Sequence, residues 1–295
     1  MNLGIVVAIA LVLVTAGTVV FHFVSPWWWT PIASNWGYID DTIILTFWVT
    51  GVVFVGVILF MAYCTFRYRY REDRRAAYEP ENTKLEWWLT GLTSVGVVAM
   101  LTPGLLVWDQ YVTVPEDASE LEVIGQQWQW SFRFPGKDGV LGTSDPRNIS
   151  DENPFGLNPN DPNGQDDILI EDSEVHLPLD RPVKVLLRSI DVLHDLYVPE
   201  FRAKMDLVPG MITYFWFIPT RTGTFDILCF ELCGVGHYLM RGNVVVEAES
   251  DFQAWLKEQP TFAQSLAEAS NRTEDGLNPV LSQTETDSVK TGLTR

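Results

Sequence analysis

The chain has 295 residues, 38 of them acidic and 20 basic, which gives a net charge of -18 and a pI near 4.5. This balance excludes a nucleic-acid-binding function, because affinity for phosphate needs a basic surface. Residues 1–66 contain no Lys or Arg, whereas residues 109–295 contain 14 basic and 31 acidic residues. The chain therefore combines a nearly uncharged N-terminal part with a strongly acidic C-terminal part.

The first apolar run, Leu3–Val24, predicts either a transmembrane helix or a signal sequence over residues 1–24. It is long for the core of a signal peptide and lacks the basic segment that normally precedes one. Retention as a helix is the favoured interpretation.

Two further uncharged runs, Thr42–Phe66 and Trp87–Trp108, are each long enough to cross a membrane, which needs about 20 residues of α-helix. They predict a transmembrane helix hairpin over residues 41–108. The connecting segment Arg67–Arg75 is rich in arginine, and the positive-inside rule assigns it to the cytoplasm. The acidic part after Trp108 is therefore expected outside.

From Glu120 onward, apolar and polar residues alternate, as is typical of β-strands. In the segment around Trp128, the period of two puts Trp128, Trp130, Phe132 and Phe134 on one face. Other candidate strands, separated by turn-forming residues, are Asp167–Glu171, Val183–Ser189, Met211–Ile218, Thr224–Cys229 and Asn243–Ala248. Several short strands at this spacing favour a β-sandwich or a Greek-key barrel.

Residues 142–167 are rich in Pro, Gly, Asn and Asp and contain few apolar side chains, which predicts a long surface insertion with little core. Four of its side chains have oxygens suited to calcium: Asp161, Asn163, Asp166 and Asp167. Their spacing does not match an EF-hand, so a solvated loop is the alternative.

The C-terminal part, residues 253–295, predicts a short helix and a tail. The helix is expected over Asp251–Glu268, and the polar composition of residues 271–295 predicts disorder.

The segment from Cys229 to Met240 contains two cysteines, a histidine and a methionine within twelve residues. Four soft or borderline ligands in one loop suit copper. A Cys229–Cys233 disulfide is an alternative in an oxidising compartment, and a structural zinc site is another, although methionine is a poor zinc ligand. A single blue copper would use one Cys and two His, so two thiols indicate a thiolate-bridged pair of coppers.

A second group of residues makes the pattern more specific. His194 stands directly after the strand Val183–Ser189, in Asp191-Val-Leu-His194. Together with Val198-Pro199, Lys204, Asp206, Pro209-Gly210 and the Cys-x-Glu-x-Cys-Gly-x-x-His-x-x-Met motif, this sequence resembles subunit II of the haem-copper cytochrome c oxidases. The resemblance extends from about Asp41 to Phe252.

The resemblance implies an α + β membrane protein in which a cupredoxin-like Greek-key β-barrel, over residues 109–252, lies outside the membrane and holds the binuclear copper centre CuA. Cys229 and Cys233 would bridge the coppers as thiolates, and His194 and His237 would be terminal ligands. The remaining ligands would be the Met240 thioether and the Glu231 backbone carbonyl.

The resemblance also implies roles for residues around the metal. The Glu231 side chain would help to bind Mg²⁺ at the boundary with subunit I, and Asp206 would support the hydrogen-bond network there. Trp128 would receive electrons from cytochrome c, and Glu86 would stand at the mouth of the K proton channel. Plain alternatives are a solvated carboxylate for Glu231, a packed aromatic for Trp128 and a solvated helix cap for Glu86.

Docking of a basic cytochrome c would use acidic side chains, since opposite charges accelerate encounter. Asp172 and Asp191 match acidic positions near the docking surface of the family. Arg133 stands where the family often has another acid, which predicts a changed docking patch. His176 and His22 are outside the motif and are expected to be an ordinary strand residue and a packed or interfacial residue.

The sequence thus predicts a CuA-bearing subunit of a proton-pumping cytochrome c oxidase in a bacterial or archaeal cell membrane. Its partners would be subunit I, other oxidase subunits, cytochrome c and membrane lipid. The alternatives are a quinol oxidase subunit that has lost copper and a membrane-anchored, disulfide-stabilised binding or assembly domain.

Overall fold

The computed structural model describes residues 3–25, 30–75, 77–78, 80–150, 153–268 and 270. These residues form two units: one holds the long helices up to Gln110, and the other holds Ile32–Asn35 and the chain from Tyr111 onward. The predicted disordered tail, residues 271–295, lies outside the described residues.

The helical unit contains three long apolar helices, α1 (Leu3–Val24), α2 (Gly37–Arg67) and α3 (Thr83–Val112). All three are long and apolar enough to cross a membrane. α1 packs along α2, and α3 begins where the Asn82 side chain accepts a hydrogen bond from the Leu85 N–H at 3.1 Å. The three predicted apolar helices are confirmed.

The β unit includes a short segment from the loop between α1 and α2. The Ala33 N–H donates to the Glu200 carbonyl at 2.7 Å, and the Ala33 carbonyl accepts from the Thr220 N–H at 2.9 Å. The Ser34 hydroxyl donates to the Phe201 carbonyl at 2.7 Å. Ile32–Asn35 is thus an integral part of the β unit, which the predicted boundaries 109–252 did not include.

Within the described residues, ten strands form two five-stranded sheets. In chain order the strands are β1 (Ser119–Gln126), β2 (Gln129–Phe134), β3 (Ile168–Ile170), β4 (Glu174–Pro178), β5 (Val183–Ser189), β6 (His194–Val198), β7 (Ala203–Leu207), β8 (Thr213–Phe217), β9 (Gly223–Cys229) and β10 (Arg241–Glu247). The sheet orders are β3-β2-β1-β5-β8 and β4-β10-β9-β6-β7. Sequence patterning missed β4, β6 and β7.

The sheets pack face to face around an aromatic and aliphatic core. Phe201, which precedes β7, lies between Phe217 of one sheet and Phe225 of the other, with ring centroids 4.9 and 5.2 Å away. Trp130 of β2 contacts His194 of β6 edge to face across the same interior. The predicted cupredoxin-like barrel is confirmed.

The aromatic stripe predicted on β2 is only partly correct. Trp130, Phe132 and Phe134 are buried, but the strand is interrupted at Gln127 and Trp128, which form the turn between β1 and β2. Trp128 is therefore 38% exposed. Trp128 therefore lies outside the strand that carries the buried aromatic side chains. The two strands pair antiparallel, with Gly125 opposite Trp130.

The prediction that residues 142–167 contribute little core is wrong. Phe155 and Leu157 are fully buried and pack with Ile124, Leu169 and Phe262 in a cluster of their own. This cluster covers the outer face of β1, whose residues 121–125 are all buried. The insertion therefore forms a third layer on the first sheet, built from very few apolar side chains.

A buried ionic network lies beneath this layer. Arg133 Nε is 2.7 Å from Glu122 Oε2, and Arg133 Nη1 is 2.6 Å from Asp167 Oδ2. Arg188 pairs with the other oxygen of Glu122 at 3.2 Å and donates to the Phe155 carbonyl at 2.7 Å. Two arginines and two carboxylates balance each other, which is what burial of charge requires.

The predicted helix Asp251–Glu268 is interrupted. α4 covers Glu249–Glu258, the chain leaves the helix at Gln259-Pro260, and it is helical again over 262–268. Pro260 explains the break, because proline disfavours helical geometry in the residue before it. The Pro260 carbonyl accepts from the Leu169 N–H instead.

The network makes a pH-dependent stability prediction. Burial raises the pKa of Asp167 from 3.8 to about 6, against the opposing effect of Arg133. Below about pH 4 the Asp167 carboxyl is protonated in both the folded and the unfolded state, so it does not lower the free energy of unfolding. As the pH rises toward and through 6, the unfolded state loses this proton more readily than the folded state, and the free energy of unfolding falls by up to about 1.4 kcal/mol per pH unit.

Thermal unfolding of the detergent-solubilised chain should therefore show that Asp167→Asn gains stability relative to the wild type as the pH is raised from 4 to 6.5. The exposed Asp117→Asn is the control for loss of one charge. A wild-type to Asp167→Asn difference that does not vary with pH would contradict the raised pKa.

Candidate metal centre

Two β-strand ends and one loop of the second sheet bring the candidate ligands together. His194 is the first residue of β6, Cys229 is the last residue of β9, and the loop that follows ends at Met240, directly before β10. The Cys229 N–H donates to the Met240 carbonyl at 3.2 Å, which closes the loop at its base. The sheet thus fixes both ends of a ligand-bearing loop.

The ligand atoms converge on one small volume. Among the described residues, His194, Cys229 and Cys233 form a buried group whose ligand atoms all lie within 4.8 Å of one another. The two sulfurs are 3.7 Å apart, and Cys229 Sγ lies 3.9 Å from His194 Nδ1. Cys233 Sγ lies 3.5 Å from His237 Nδ1, so each sulfur has its own imidazole.

The last two predicted donors lie at the edge of this group. Met240 Sδ is 3.9 Å from Cys233 Sγ, and the Glu231 carbonyl oxygen is 3.3 Å from Cys229 Sγ. All six predicted ligand residues are therefore brought together. Cys229 and Cys233 are free thiols in this structure, so the alternative of a disulfide is not what its geometry shows.

The two thiols differ in acidity. Burial opposes ionisation of Cys229, but hydrogen bonds involving the His194 ring and the backbone at Asp195 outweigh it and lower its pKa to about 6. Burial and the neighbouring Cys229 sulfur raise the pKa of Cys233 to about 12. Ionisation of the Cys229 thiol is therefore favoured over ionisation of the Cys233 thiol.

The donor set fits copper. Thiolates, imidazoles and a thioether are the ligands that copper accepts together, whereas zinc sites rarely use methionine. Four of the side chains are buried, namely His194, Cys229, Cys233 and Met240. Most of the donor side chains are thus shielded from solvent, and His237 is half-buried.

Trp128 covers the ligand loop from outside. Its Nε1–H donates to the Cys233 carbonyl at 3.3 Å, and the side-chain amide of Gln127 donates to the same oxygen at 2.7 Å. The Trp128 ring lies directly over Gly236. The sequence analysis did not predict the contact of Gln127 with the ligand loop. Its position next to Trp128 was the only indication of a role.

Other predicted residues lie in different settings. Arg133 is buried and engaged in the ionic network, so its own charge does not face solvent, and the changed docking patch stays a prediction. Asp172 and Asp191 are both exposed, and the Asp191 carboxylate is also hydrogen-bonded to the His194 ring. Glu86 is exposed in the first turn of α3. His176, expected to be an ordinary strand residue, lies in β4 and stacks on Trp255.

A buried carboxylate beside His194 was also missed. Asp195 is 1% exposed and lies opposite Asp206 in the β6–β7 pair, with its Oδ2 3.2 Å from Lys204 Nζ. Burial and then Asp206 raise the pKa of Asp195 to about 7. The Asp206 position therefore belongs to a network of two carboxylates and one lysine.

The glycines of the ligand loop determine where Trp128 lies. A Cβ at Gly236 would stand 2.3 Å from Trp128 Cδ2, and Gly234 adopts φ +119, which side chains rarely tolerate. Gly236→Ala should therefore push the indole off the loop while leaving all the predicted ligands in place. The expected result is a more exposed Trp128 with unchanged copper content, measured by fluorescence quenching and metal analysis. The exposed Val235→Ala is the control, and an unchanged indole environment in Gly236→Ala would contradict this packing.

Comparison with known proteins shows what the chain is similar to. Residues 120–249 match the family described as cytochrome c oxidase subunit II, periplasmic domain. A solved periplasmic domain of subunit II of cytochrome oxidase from Bradyrhizobium japonicum is 25% identical, matches 49% of this chain and 95% of that chain, and has a TM-score of 0.36.

Curated relatives extend the match over most of the chain. The cytochrome c oxidase subunit 2 of Cereibacter sphaeroides is 26% identical over 257 residues, or 84% of each chain. The alternative cytochrome c oxidase subunit 2 of Bradyrhizobium diazoefficiens is 70% identical over 257 residues, which are 87% of this chain and 93% of that relative. On this similarity, the chain belongs to the cytochrome c oxidase subunit II family.

Proposed function

We propose that this subunit receives single electrons from cytochrome c at a binuclear copper centre and delivers them to haem in subunit I, where O₂ is reduced to water and protons are pumped. The observation that carries the proposal is the convergence of two thiols, two imidazoles, a thioether and a carbonyl on one buried point. A quinol oxidase subunit without copper would not need this complete donor set.

The ligand residues have distinct roles in this proposal. Cys229 and Cys233 would hold the copper through their thiolates, His194 and His237 would hold it through their ring nitrogens, and the Met240 sulfur and the Glu231 carbonyl would complete the donor set. When bound, the copper pair supplies a one-electron store whose charge is shared across the thiolates. The protein contributes a largely buried cluster held by two strand ends, which limits rearrangement between redox states.

Trp128 is the electron-receiving residue in this proposal. It is the aromatic ring of this region that is both partly exposed and hydrogen-bonded to a ligand residue, through the Cys233 carbonyl. Exposure lets a donor approach the ring, and the hydrogen bond joins the ring to the ligand loop.

Further proposals concern the surroundings. The half-buried Glu231 side chain would help to bind Mg²⁺ at the boundary with subunit I, and Asp206 would support the hydrogen-bond network there. Asp172 would attract the basic face of cytochrome c. Calcium in the insertion has little support, because Asp161 and Asp166 accept hydrogen bonds from backbone N–H groups of Thr143, Asn163, Lys137 and Asp138.

The membrane arrangement is also proposed. The chain is anchored by apolar helices and carries a periplasmic domain. We infer that α1 is retained, that the arginine-rich segment 67–75 is cytoplasmic, and that the three spans lie in lipid beside other oxidase subunits in a bacterial cell membrane.

Loss of a bridging thiol tests the copper site. Cys229→Ser should abolish copper binding in the purified oxidase, because a hydroxyl does not replace a bridging thiolate, whereas Cys64→Ser, outside the site, should leave the copper content at the wild-type level. The measurement is metal analysis together with the mixed-valence visible and EPR spectrum. A wild-type chain without copper, holding a Cys229–Cys233 disulfide, would favour the assembly-domain alternative.

Trp128→Gln tests electron uptake. The variant should retain its copper spectrum but receive electrons from reduced cytochrome c more slowly by an order of magnitude or more, since the exposed ring is gone. Trp128→Phe, which keeps an aromatic ring, should lie between the variant and wild type. Stopped-flow reduction kinetics that equal the wild type in Trp128→Gln would reject this role.

Glu86→Ala tests the proposed proton channel mouth. The carboxylate lies in the first turn of α3, near the arginine-rich segment in sequence. Its loss should slow haem reduction severalfold while binding of cytochrome c stays unchanged. The exposed Glu81→Ala provides a control from the same region, and haem reduction at the wild-type rate in Glu86→Ala would contradict the role.

A further inference from the structure

A groove lies between α1 and α2, within the helical unit and apart from the copper site. Its volume is about 650 Å³, and it is lined by side chains from residues 18–23 of α1 and residues 44–55 of α2. Most of these side chains are apolar, and His22 is among the few polar ones. A large apolar cavity with a few polar groups is the usual form of a site for a small molecule.

The groove has the depth of one leaflet of a bilayer. Ile44 and Val55 are eleven residues apart in α2, which at 1.5 Å per residue corresponds to about 16 Å. Half of the hydrocarbon core of a bilayer is about 15 Å. In the membrane arrangement proposed above, the ends of α1 and α2 that Ile32–Asn35 connects are the outer ends. The groove therefore follows the path of an acyl chain in the outer leaflet.

His22 lies in the last turn of α1, at the outer part of the groove. It is the only histidine in residues 1–66, which also contain no Lys or Arg. Its ring contacts Phe23 and, across the groove, Phe47 of α2, with centroids 5.2 and 6.0 Å away, and no described residue hydrogen-bonds its nitrogens. An imidazole carries at least one N–H donor in either protonation state. Because ionisable side chains within membrane helices usually mark a functional site, His22 is suited to donate to an oxygen of a ligand.

The face of α2 that forms the groove continues outward to two aspartates. Lining residues of α2 recur at intervals of three and four from Ile44 to Phe54, and the same intervals lead back to Asp40 and Asp41. Two carboxylates thus lie outward of the groove on the face opposite His22. This order of charge suits a head group with a phosphate toward the imidazole and an ammonium toward the aspartates, whereas an anionic head group would be repelled by them.

The deeper part of the groove has space for a hydrocarbon chain. Gly51 lines it, and a Cβ added at Gly51 would meet no heavy atom within 4 Å. The neighbouring Thr50 hydroxyl donates to the Thr46 carbonyl of its own helix at 2.6 Å, so its proton is already engaged. The wall formed by α2 is therefore compatible with an apolar chain.

We propose that the groove between α1 and α2 binds one zwitterionic phospholipid of the outer leaflet, with an acyl chain between the helices. The His22 N–H donates to a phosphate or ester oxygen of this lipid, and the lipid ammonium lies toward Asp40 and Asp41. The bound lipid fills the space between the two helices and stabilises the packing of α1 on α2. The inference goes beyond the proposed function and uses only its membrane arrangement.

The test uses the assembled oxidase in nanodiscs that contain phosphatidylethanolamine with a photoactivatable acyl chain. Irradiation followed by peptide mapping should label residues 18–23 and 44–55 in the wild type. His22→Phe keeps an aromatic ring against Phe47 but removes the N–H donor, so it should reduce this labelling by about 2- to 10-fold. Gly51→Leu places a side chain in the groove and should abolish the labelling there.

Gly56→Leu is the matched control. Gly56 also lies in α2, and a Cβ added there also meets no heavy atom within 4 Å, but this residue does not line the groove. The variant should keep the wild-type labelling. Unlabelled phosphatidylethanolamine should compete with the probe better than the same amount of phosphatidylglycerol, whose head group is anionic.

Equal labelling in the wild type, His22→Phe and Gly51→Leu would overturn the inference, because the probe would then report the lipid that surrounds any membrane helix. Displacement of the probe by a quinone and not by phospholipid would also overturn it, as would labelling of the isolated chain but not of the assembled oxidase, in which a helix of another subunit would fill the groove. A mature chain without α1 would have the same consequence. The copper content of the same samples reports separately on the proposed function.

Discussion

Burial of two neighbouring thiols under one loop is the constraint on which the copper domain depends. Taking Cys229 and Cys233 out of water makes a pair of thiolates unfavourable, and the separation of their pKa values to about 6 and about 12 expresses that conflict. Positive charge from a metal resolves it. The sheet supplies the rest, since Cys229 ends β9 and the loop closes on Met240 through a backbone hydrogen bond.

The surrounding layers cover the strands next to this cluster. The strand β1 is buried on both faces, one toward the second sheet and one under the insertion. Its outer face carries Glu122, whose two arginine partners also reach Asp167 and the Phe155 carbonyl. β1 leads directly into the turn that carries Trp128. One strand therefore connects the packed insertion to the metal centre.

The sequence predicted best those features whose residues lie close together along the chain. The ligand loop spans twelve residues, and β5 was predicted at its observed bounds because its alternation is regular. Prediction failed for residues whose contacts are distant in sequence. Arg133 pairs with Asp167, 34 residues away, so the sequence around Arg133 does not indicate that it is buried. Composition averaged over residues 142–167 concealed Phe155 and Leu157, and the hydrogen bond from the Gln127 N–H to Asp191 depends on a turn that interrupts the strand pattern.

The segment Ile32–Asn35 gives the β unit an unusual order of assembly. Ser34 bonds to Phe201, 167 residues later, and Asn35 accepts from the Ile218 N–H, 183 residues later. During synthesis this piece leaves the ribosome long before its partners exist, and α2 and α3 intervene. Such long-range closure is slow to form. A fragment that begins at Tyr111 would leave the carbonyls of Glu200 and Phe201 and the N–H of Ile218 without these partners, so the domain is completed by a segment that lies between α1 and α2.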